Sequence, residues 1–308
     1  MTAPALEVRG LCKSFGATSI LRDVNLSVPR GARHALVGPN GAGKTSLFKV
    51  ITGLYRPTSG TLRLDGEDVT ALSQVARKQR GVTRSFRLSR QARELTVLDN
   101  LRLAVGGCTC AGAANGAGGR EDVDLALDQL EQLALLADAR KPVRELPASR
   151  QRLVEIAIAL VQRPKLLLLD EPADGVPSPE IHLILDVIRR LDRDVTVVII
   201  EHNLDLVLRI ADRVTVLAAG AVLMEGTGEE IAARQQQAER TLSQFSLATL
   251  VTMNQIIAQR SLHGQEEAAQ AVTPAVCPPA VLAPNADAGI SEPSGSSRFS
   301  AEVRCQRC

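Results

Sequence analysis

The chain has 308 residues, of which 45% are hydrophobic and 23% are charged, and its formal net charge is +2. This length is sufficient for one large α/β domain with an appendage, and the near-neutral charge offers no basic face of the kind that binds nucleic acid. No apolar run approaches the roughly 20 residues needed to cross a bilayer, and no basic segment precedes an apolar one at the N-terminus, so the sequence predicts a cytoplasmic chain without a membrane span.

The first predicted elements are short strands. Two runs, Leu6 to Val8 and Asn25 to Val28, have strand character, and the turn Pro29-Arg30-Gly31 follows the second. A further strand, Thr61 to Leu64, follows the turn residues Pro57-Thr58-Ser59-Gly60. These elements predict a small antiparallel sheet beside the main fold.

A glycine-rich loop separates the apolar strand Ala35-Leu36-Val37 from a helical stretch, Ser46 to Gly53. It fits the pattern GxxxxGK[ST], in which backbone N–H groups, the positive end of a helix dipole and a lysine surround phosphate oxygens. A glycine-rich turn that binds nothing would explain three glycines, but not Gly-Lys-Thr in this register. The expected nucleotide-binding residues are Gly38, Pro39, Asn40, Gly41, Ala42, Gly43, Lys44, Thr45 and Ser46. The Thr45 hydroxyl is also expected to bind Mg²⁺.

The middle of the chain is predicted to hold a helical subdomain, at about residues 87–160. It contains a loop, Gly106 to Gly119, and a helix, Val123 to Ala137, whose apolar residues recur at helical spacing.

Buried strands and helices then alternate. They are a helix at Leu153 to Val161, a strand at Leu166 to Leu169, a helix at Ile181 to Leu191 and a strand at Val195 to Ile200. This alternation predicts a parallel sheet covered by helices on both faces.

The C-terminal part has a different composition. A weakly amphipathic stretch, Leu242 to Ile257, predicts a peripheral helix within residues 241–263, with docking or regulation as the alternative role. Beyond Gly264 the composition is rich in Ala, Pro, Ser and Gly, which predicts a disordered tail at residues 264–308.

Acidic and histidine side chains follow two of the buried strands, in Asp170-Glu171-Pro172 and Glu201-His202-Asn203. We expect the first strand to lie beside the phosphate loop, where Asp170 would hold Mg²⁺ through water and Glu171 would orient or deprotonate the attacking water. His202 would hydrogen-bond the γ-phosphate. Taken singly, a helix N-cap, a solvated carboxylate and a surface histidine are the more common roles. Their joint occurrence in this order favours a site that hydrolyses a nucleotide.

With the phosphate loop, these residues make the chain resemble the nucleotide-binding subunit of an ATP-binding cassette (ABC) transporter over roughly residues 6–228. The resemblance implies an α/β P-loop NTPase with a central, mostly parallel sheet, a small antiparallel β subdomain and a helical subdomain, together forming an ABC ATPase domain at residues 1–240. It also implies ATP and Mg²⁺ as cofactors. Phe15 occupies the place where the family stacks an aromatic ring on adenine, and a buried core phenylalanine is the alternative.

Four segments resemble the branched-chain amino acid and urea uptake branch of that family. They are Thr83-Arg84-Ser85-Phe86, Arg93-Glu94-Leu95-Thr96-Val97-Leu98-Asp99-Asn100, Glu155-Ile156-Ala157 and Asp170-Glu171-Pro172-Ala173. The resemblance implies a peripheral ATPase on the cytoplasmic face of the inner membrane, paired with a second ABC ATPase chain beneath two membrane permease subunits. A periplasmic binding protein would deliver amino acids or related small amides.

The first departure from the family is Arg87, at a position where the family has a glutamine that contacts Mg²⁺ and the attacking water. An arginine within about 4 Å of Mg²⁺ would meet a repulsion of roughly 8 kcal/mol at an effective dielectric constant near 20. We therefore expect Arg87 to point elsewhere or toward a phosphate oxygen.

The second departure is Leu146-Pro147-Ala148-Ser149-Arg150-Gln151, where this branch of the family has Leu-Ser-Tyr-Gly-Glu-Gln. In the family, the serine and glycine of this segment grip the γ-phosphate held by the other subunit. Pro147 and Ser149 occupy positions of the degenerate segment, and Arg150 is a candidate to offset part of the loss. A homodimer would have two damaged sites, so the sequence predicts a heterodimer with one competent and one weak site, and a homodimer is the alternative.

Two further functions fit the motifs less well. A nucleotide-binding regulatory subunit with little or no ATP turnover, paired with an active ATPase chain, is the main alternative, and Glu171 argues against it. A soluble ABC ATPase of translation or repair is expected to carry two cassettes or a long coiled coil, which this chain lacks.

Overall fold

The computed structural model describes residues 3–106 and 120–234. The predictions for residues 241–263 and 264–308, and for nearly all of the loop Gly106 to Gly119, lie outside these residues. Within the two described ranges, no helix combines the length and the apolar character that a membrane span requires.

The described residues form ten strands and eight α-helices. The strands are β1 (Leu6–Phe15), β2 (Thr18–Val28), β3 (Arg33–Val37), β4 (Ser59–Leu64), β5 (Glu67–Asp68), β6 (Val82–Arg84), β7 (Leu166–Asp170), β8 (Thr196–Ile200), β9 (Arg213–Ala218) and β10 (Ala221–Gly226). The helices are α1 (Lys44–Ile51), α2 (Gln74–Gln79), α3 (Arg90–Glu94), α4 (Val97–Gly106), α5 (Arg120–Gln132), α6 (Ala148–Leu160), α7 (Ile181–Arg190) and α8 (Leu204–Ile210).

The predicted small antiparallel sheet is confirmed, with strand order β2-β1-β4-β5. Its first two strands have 10 and 11 residues and form one long hairpin, so the predicted short strands are wrong in extent. The register shifts between Val8 and Leu11 and again between Leu11 and Lys13. Each shift changes which face a side chain meets, and this interrupts the apolar alternation by which a strand is recognised in a sequence.

The six-stranded central sheet has the order β10-β9-β3-β8-β7-β6. Neighbouring strands from β9 to β6 are parallel, and β10 pairs antiparallel with β9. The predicted parallel sheet is confirmed, but the expectation that Asp170's strand lies beside the phosphate-loop strand is wrong. Strand β8, which precedes His202, lies between β3 and β7 because it hydrogen-bonds both.

Helices and strands bury the two faces of this sheet in separate hydrophobic clusters. In β7, Leu167 and Leu169 belong to the cluster formed with α4, α5, α6 and α7, whereas Leu166 and Leu168 belong to the cluster that contains α1 and the antiparallel sheet. Successive side chains of a strand point to opposite faces, so an uninterrupted leucine run fits a strand that is covered on both sides. The prediction of a doubly covered sheet is therefore confirmed.

Helix α1 is Lys44–Ile51 rather than Ser46 to Gly53, and two other helices differ from their predicted bounds by more. Helix α5 ends at Gln132 rather than Ala137, since Ala134 has a left-handed φ of 54° and a separate 3₁₀ turn follows at Leu136–Asp138. Helix α6 begins at Ala148, five residues before the predicted start at Leu153. Its early turns bury polar side chains, which hide the apolar spacing that predicts helices.

We expect His34 to make the fold sensitive to acid. It is fully buried in β3, its Nε2 lies 2.8 Å from Thr215 Oγ1, and its Nδ1 has no partner among residues 3–106 and 120–234. Burial lowers the pKa of His34 from 6.5 to about 4. Between pH 6.5 and pH 4 the unfolded chain binds a proton at His34 that the native chain does not bind. The free energy of unfolding should therefore fall by about 3 kcal/mol as the pH drops from 6.5 to 4.

Urea titrations at pH 7 and pH 4.5 test this prediction. The His34→Asn variant should lose less stability between the two pH values than the wild type does. The exposed His182 supplies the control, because His182→Asn should keep the wild-type dependence. Equal pH dependence in the His34 variant and the wild type would contradict the prediction.

Candidate functional site

The glycine-rich loop joins β3 to α1 and requires glycine at two positions. Gly43 caps α1 with a φ of 100°, and a Cβ on it would lie 2.9 Å from Leu21 Cδ2. A Cβ on Gly38, whose φ is 150°, would lie 2.1 Å from the carbonyl oxygen of Leu217. The loop therefore packs directly against β2 and β9, which holds it in place at the carboxyl end of β3.

Lys44 lies folded over this loop. Its buried side chain donates from Nζ to the carbonyl oxygens of Gly38, at 2.6 Å, and Pro39, at 3.1 Å. Thr45, the next residue of α1, is exposed, and Ser46 is half-buried. The first turn of α1 thus places an ammonium group, a hydroxyl and the N-terminal backbone N–H groups of a helix next to the loop.

Glu171 and His202 meet beyond the ends of β7 and β8. His202 Nδ1 lies 4.0 Å from Glu171 Oε1, and both side chains are accessible to solvent. Glu171 has a left-handed φ of 47°, and its N–H donates to the Ile200 carbonyl at 3.0 Å. A left-handed backbone is costly for a residue other than glycine and persists only where the surroundings hold it. This hydrogen bond to β8 is one such restraint. It fixes the backbone position from which the Glu171 side chain extends.

The first three residues of the phosphate loop, Gly38 to Asn40, line one cavity of about 500 Å³ together with Glu171 and His202. The cavity is formed by Val37, Gly38, Pro39, Asn40, Glu171, His202, Leu204, Val216 and Ile231. The start of the loop, a carboxylate and an imidazole thus meet at a single space, although 171 and 202 are separated from the loop by more than a hundred residues of chain. The predicted site residues Phe15, Lys44, Thr45, Ser46 and Asp170 are not among the residues that line this cavity.

Asp170 ends β7, and its carboxylate forms an ion pair with the Arg84 guanidinium. Thr45 and Asp170 supply the hydroxyl and carboxylate oxygens that Mg²⁺ prefers. A cationic group already lies against Asp170, which shows that the carboxylate stabilises positive charge. The donor set therefore fits Mg²⁺, with the remaining positions left for water and phosphate oxygens.

Phe15 ends β1 and is not part of the core, so the alternative of a buried phenylalanine is wrong. Its side chain is 47% exposed and packs edge-on against Tyr55, with ring centroids 5.1 Å apart. Lys13 Nζ lies 4.5 Å from the centre of the Phe15 ring. An exposed aromatic face that holds a cation is also accessible to a planar base.

Arg87 forms an ion pair with Asp174 rather than with Asp170, the expected Mg²⁺ ligand. Its Nη2 lies 2.5 Å from Asp174 Oδ2 and also donates to the Asp174 carbonyl at 3.3 Å. The pair links the segment after β6 to the loop that carries Glu171.

The altered segment at Pro147 and Ser149 forms the start of α6. Pro147 is the exposed N-cap, and Ser149 is only 2% exposed, so its hydroxyl cannot reach a second molecule. Arg150 is ion-paired with the buried Asp138, which also binds Lys141 Nζ at 2.8 Å. Because this guanidinium is already neutralised, the expectation that Arg150 offsets the altered segment finds no support in its contacts.

The sequence interpretation gave no role to a buried ion pair beneath Glu171. Arg152 Nη1 lies 2.5 Å from Glu155 Oε2, and both side chains are buried in α6. Arg152 also donates to the carbonyls of Glu171, at 2.5 Å, and Pro172, at 2.9 Å, and Glu155 accepts from the Leu88 N–H at 2.9 Å. This network connects three segments that are distant in sequence, and local patterns contain no signal for it.

Glu201 is a second buried carboxylate that lacked an assigned role. It is 1% exposed and accepts from the Ala173 N–H at 3.2 Å and from the His202 N–H at 3.3 Å. Burial raises the pKa of the Glu201 carboxyl, and the two backbone hydrogen bonds oppose the rise. Its position next to His202 was the available signal that this residue orients the site.

The chain is similar in sequence to known proteins. A family model described as "ABC transporter" matches residues 21–174. The high-affinity branched-chain amino acid transport ATP-binding protein BraF of Pseudomonas aeruginosa is 38% identical over 243 residues, covering 75% of this chain and 94% of that protein. The corresponding protein LivG of Escherichia coli K12 is 37% identical over 243 residues, with the same coverage of 75% and 94%.

Solved structures share the fold. The ADP conformation of MJ1267, an ATP-binding cassette of an ABC transporter, superposes with a TM-score of 0.69 at 32% identity, covering 74% of this chain and 93% of that one. A nucleotide-free ATP-binding cassette from an ABC transporter has a TM-score of 0.69 at 31% identity, covering 75% and 94%. The predicted cassette fold is confirmed by these structures.

Proposed function

This chain belongs to the ABC transporter family as one of its ATPase cassettes, and from that premise we propose that it hydrolyses ATP to drive import of branched-chain amino acids or related small amides. The observation that carries the proposal is the convergence of the phosphate loop, Glu171 and His202 on one cavity. The substrate class is supported by relatives that are named as branched-chain amino acid transport proteins. A regulatory subunit without turnover is not favoured, since the chain keeps a carboxylate in the position of a base.

We propose the following division of roles among the site residues. The loop from Gly38 to Gly43, with Lys44, Thr45 and Ser46, holds the phosphates, and Phe15 supports the adenine. Glu171 accepts a proton from the attacking water, and His202 donates to the γ-phosphate. Thr45 and Asp170 would hold Mg²⁺, which would supply neutralisation of charge on the phosphate oxygens.

A second surface fits a membrane permease. Leu54, Phe86 and Leu103 are 53%, 60% and 65% exposed, respectively, and line one groove of about 470 Å³ between α1, β6 and α4. Contiguous exposed apolar side chains mark a surface that contacts another protein. We propose that the permease subunits bind here, with this chain peripheral on the cytoplasmic face of the inner membrane and a periplasmic binding protein delivering the substrate.

Import is tested by deleting this chain in its native host and measuring uptake of radiolabelled leucine. We expect uptake to fall and to return when the wild-type chain is supplied. The Lys44→Ala variant should be produced in equal amount and fail to restore uptake. Unchanged leucine uptake in the deletion strain would rule out this substrate class.

A heterodimer is the arrangement we propose for the cassettes, because Ser149 is buried and Arg150 is ion-paired. The purified chain alone should hydrolyse Mg-ATP slowly at every protein concentration. Addition of a second cassette with a complete Leu-Ser-Tyr-Gly-Glu-Gln segment should raise the rate at least about tenfold, as expected for one or two restored hydrogen bonds to phosphate. Fast turnover that rises with concentration in the chain alone would contradict the heterodimer.

Phe15→Ala should weaken ATP binding by about 1–3 kcal/mol through loss of base stacking. The chain has one tyrosine and no tryptophan, and Tyr55 lies 5.1 Å from Phe15, so tyrosine fluorescence reports directly on this site. Since that reporter packs on the ring being removed, calorimetry with Mg-ATP gives the affinity of the variant. Phe86→Ala, in the groove, is the matched control and should bind ATP as the wild type does. Equal affinities for Phe15→Ala and the wild type would show that adenine binds elsewhere.

A further inference from the structure

Arg84 holds an unusual position for a partly buried arginine. It ends β6, and its guanidinium lies over the Phe48 ring of α1, 5.9 Å from the ring centre. Within the described residues its side chain makes one hydrogen bond, to Asp170, and its buried Nε has no partner. One of the five N–H donors of the guanidinium is therefore engaged, and by the carboxylate that we propose for Mg²⁺.

Two other buried arginines show what a purely structural role looks like in this fold. Arg33 donates to five backbone carbonyls around the end of α7. Arg77 donates to three, from Val50, Ile51 and Thr70. Neither contacts a site residue. Arg84 is different because its only described hydrogen-bond partner is a site carboxylate, and little else restrains its guanidinium.

We propose that Arg84 is the internal counter-ion of Asp170 and competes with Mg²⁺ for its carboxylate. The inference rests on the proposed nucleotide site. Arg84 neutralises Asp170 when no metal is bound, and a divalent cation at Thr45 and Asp170 competes with it, because repulsion between the guanidinium and Mg²⁺ weakens the binding of each to the one carboxylate. Metal binding and the Arg84–Asp170 ion pair therefore oppose each other.

Release of Arg84 would also change the groove that we assign to the permease. Arg84 lines that groove together with Leu54, Phe86 and Leu103. While it is bound to Asp170 its charge is neutralised, and after displacement a free cation borders the apolar surface. Occupancy of the metal site is thereby communicated to the permease surface through one side chain.

The competition between Arg84 and the metal is tested directly by measuring metal affinity rather than ATP turnover. Mn²⁺ serves as the probe, because free Mn²⁺ is counted by electron paramagnetic resonance in the presence of saturating ADP. The variants are Arg84→Met, which keeps the apolar contact with Phe48, and Arg84→Lys, which keeps the charge. Arg80→Met removes a cation that pairs with Glu67, far from Asp170, and is the matched control. Calorimetry with ADP in EDTA measures metal-free nucleotide binding for each protein.

We expect Arg84→Met to tighten Mn²⁺ binding roughly tenfold or more, since a charge-assisted competitor is lost. Metal-free ADP affinity should be unchanged, and Arg84→Lys and Arg80→Met should resemble the wild type. Unchanged or weaker Mn²⁺ binding in Arg84→Met, with ADP binding intact, would overturn the inference. Absence of ADP binding in the wild-type chain would instead overturn the proposed nucleotide site.

A measurement on the wild-type chain covers the case in which Arg84→Met does not fold. The Arg84 Nε–H resonance is assigned by its disappearance in Arg84→Lys. It should shift when Mg²⁺ and ADP are both present and keep its position with ADP in EDTA. The same resonance position under both conditions would overturn the competition.

Discussion

Glu171→Gln is expected to slow ATP hydrolysis at least about a hundredfold while leaving ATP binding intact, since a positioned general base contributes about 10²–10⁴ in rate. An amide has nearly the shape of a carboxylate but cannot accept the proton of the attacking water. Glu171 lines the cavity with its Oε1 4.0 Å from His202 Nδ1, whereas the slightly nearer Glu201 is buried, and the Glu171 backbone is held by β8. The substitution therefore removes the base and preserves the geometry.

Hydrolysis is measured with this chain and its partner cassette together, and binding is followed by Tyr55 fluorescence and calorimetry. Glu131→Gln, an exposed residue of α5, is the matched control and should retain wild-type turnover. A Glu171→Gln protein that keeps a rate within a few-fold of the wild type would show that another group acts as the base. Loss of ATP binding in that variant would mean that Glu171 maintains the structure of the nucleotide site rather than acting as the base.

Glu155→Ala is expected to lower the free energy of unfolding by about 3–5 kcal/mol, the usual cost of removing one partner from a buried ion pair. Arg152 would remain in the core without its carboxylate, and the Leu88 N–H would lose its acceptor. Both groups are nearly inaccessible to water, so solvent cannot replace the lost contacts.

Urea titration gives this free energy directly, with Glu131→Ala as an exposed control that should change stability little. The double variant Arg152→Met/Glu155→Met should be less destabilised than the sum of the two single variants, because no unpaired charge is left in the core. Additive losses would show that the two residues stabilise the fold independently.

The same pair bears on catalysis, since Arg152 binds the backbone of Glu171 and Pro172. Variants that survive as folded proteins should therefore hydrolyse ATP more slowly than their stability alone would explain. Asp174 lies further along the loop that contains Glu171 and Pro172. Its ion pair with Arg87, at the protein surface, is a second contact that restrains this loop.

The contiguous motif from Gly38 to Thr45 is sufficient to predict the phosphate loop, because its glycines and lysine act through local backbone geometry and the adjoining helix end. The leucine run of β7 likewise predicts a strand buried on both faces, since a strand's side chains alternate between them. Exposure was less predictable. Phe15 is accessible and Ser149 is buried, and neither property follows from residue type.

Contacts between distant segments depend on the packed fold. Arg84 meets Asp170 across 86 positions, and Leu88 meets Glu155 across 67. The insertion of β8 between β3 and β7 has the same origin, because strand order is set by crossover connections and hydrogen bonding rather than by any local pattern. The residues of the site can thus be predicted individually from the sequence. Their partners and mutual positions depend on the long-range pairing of the sheet strands and on the burial of α6.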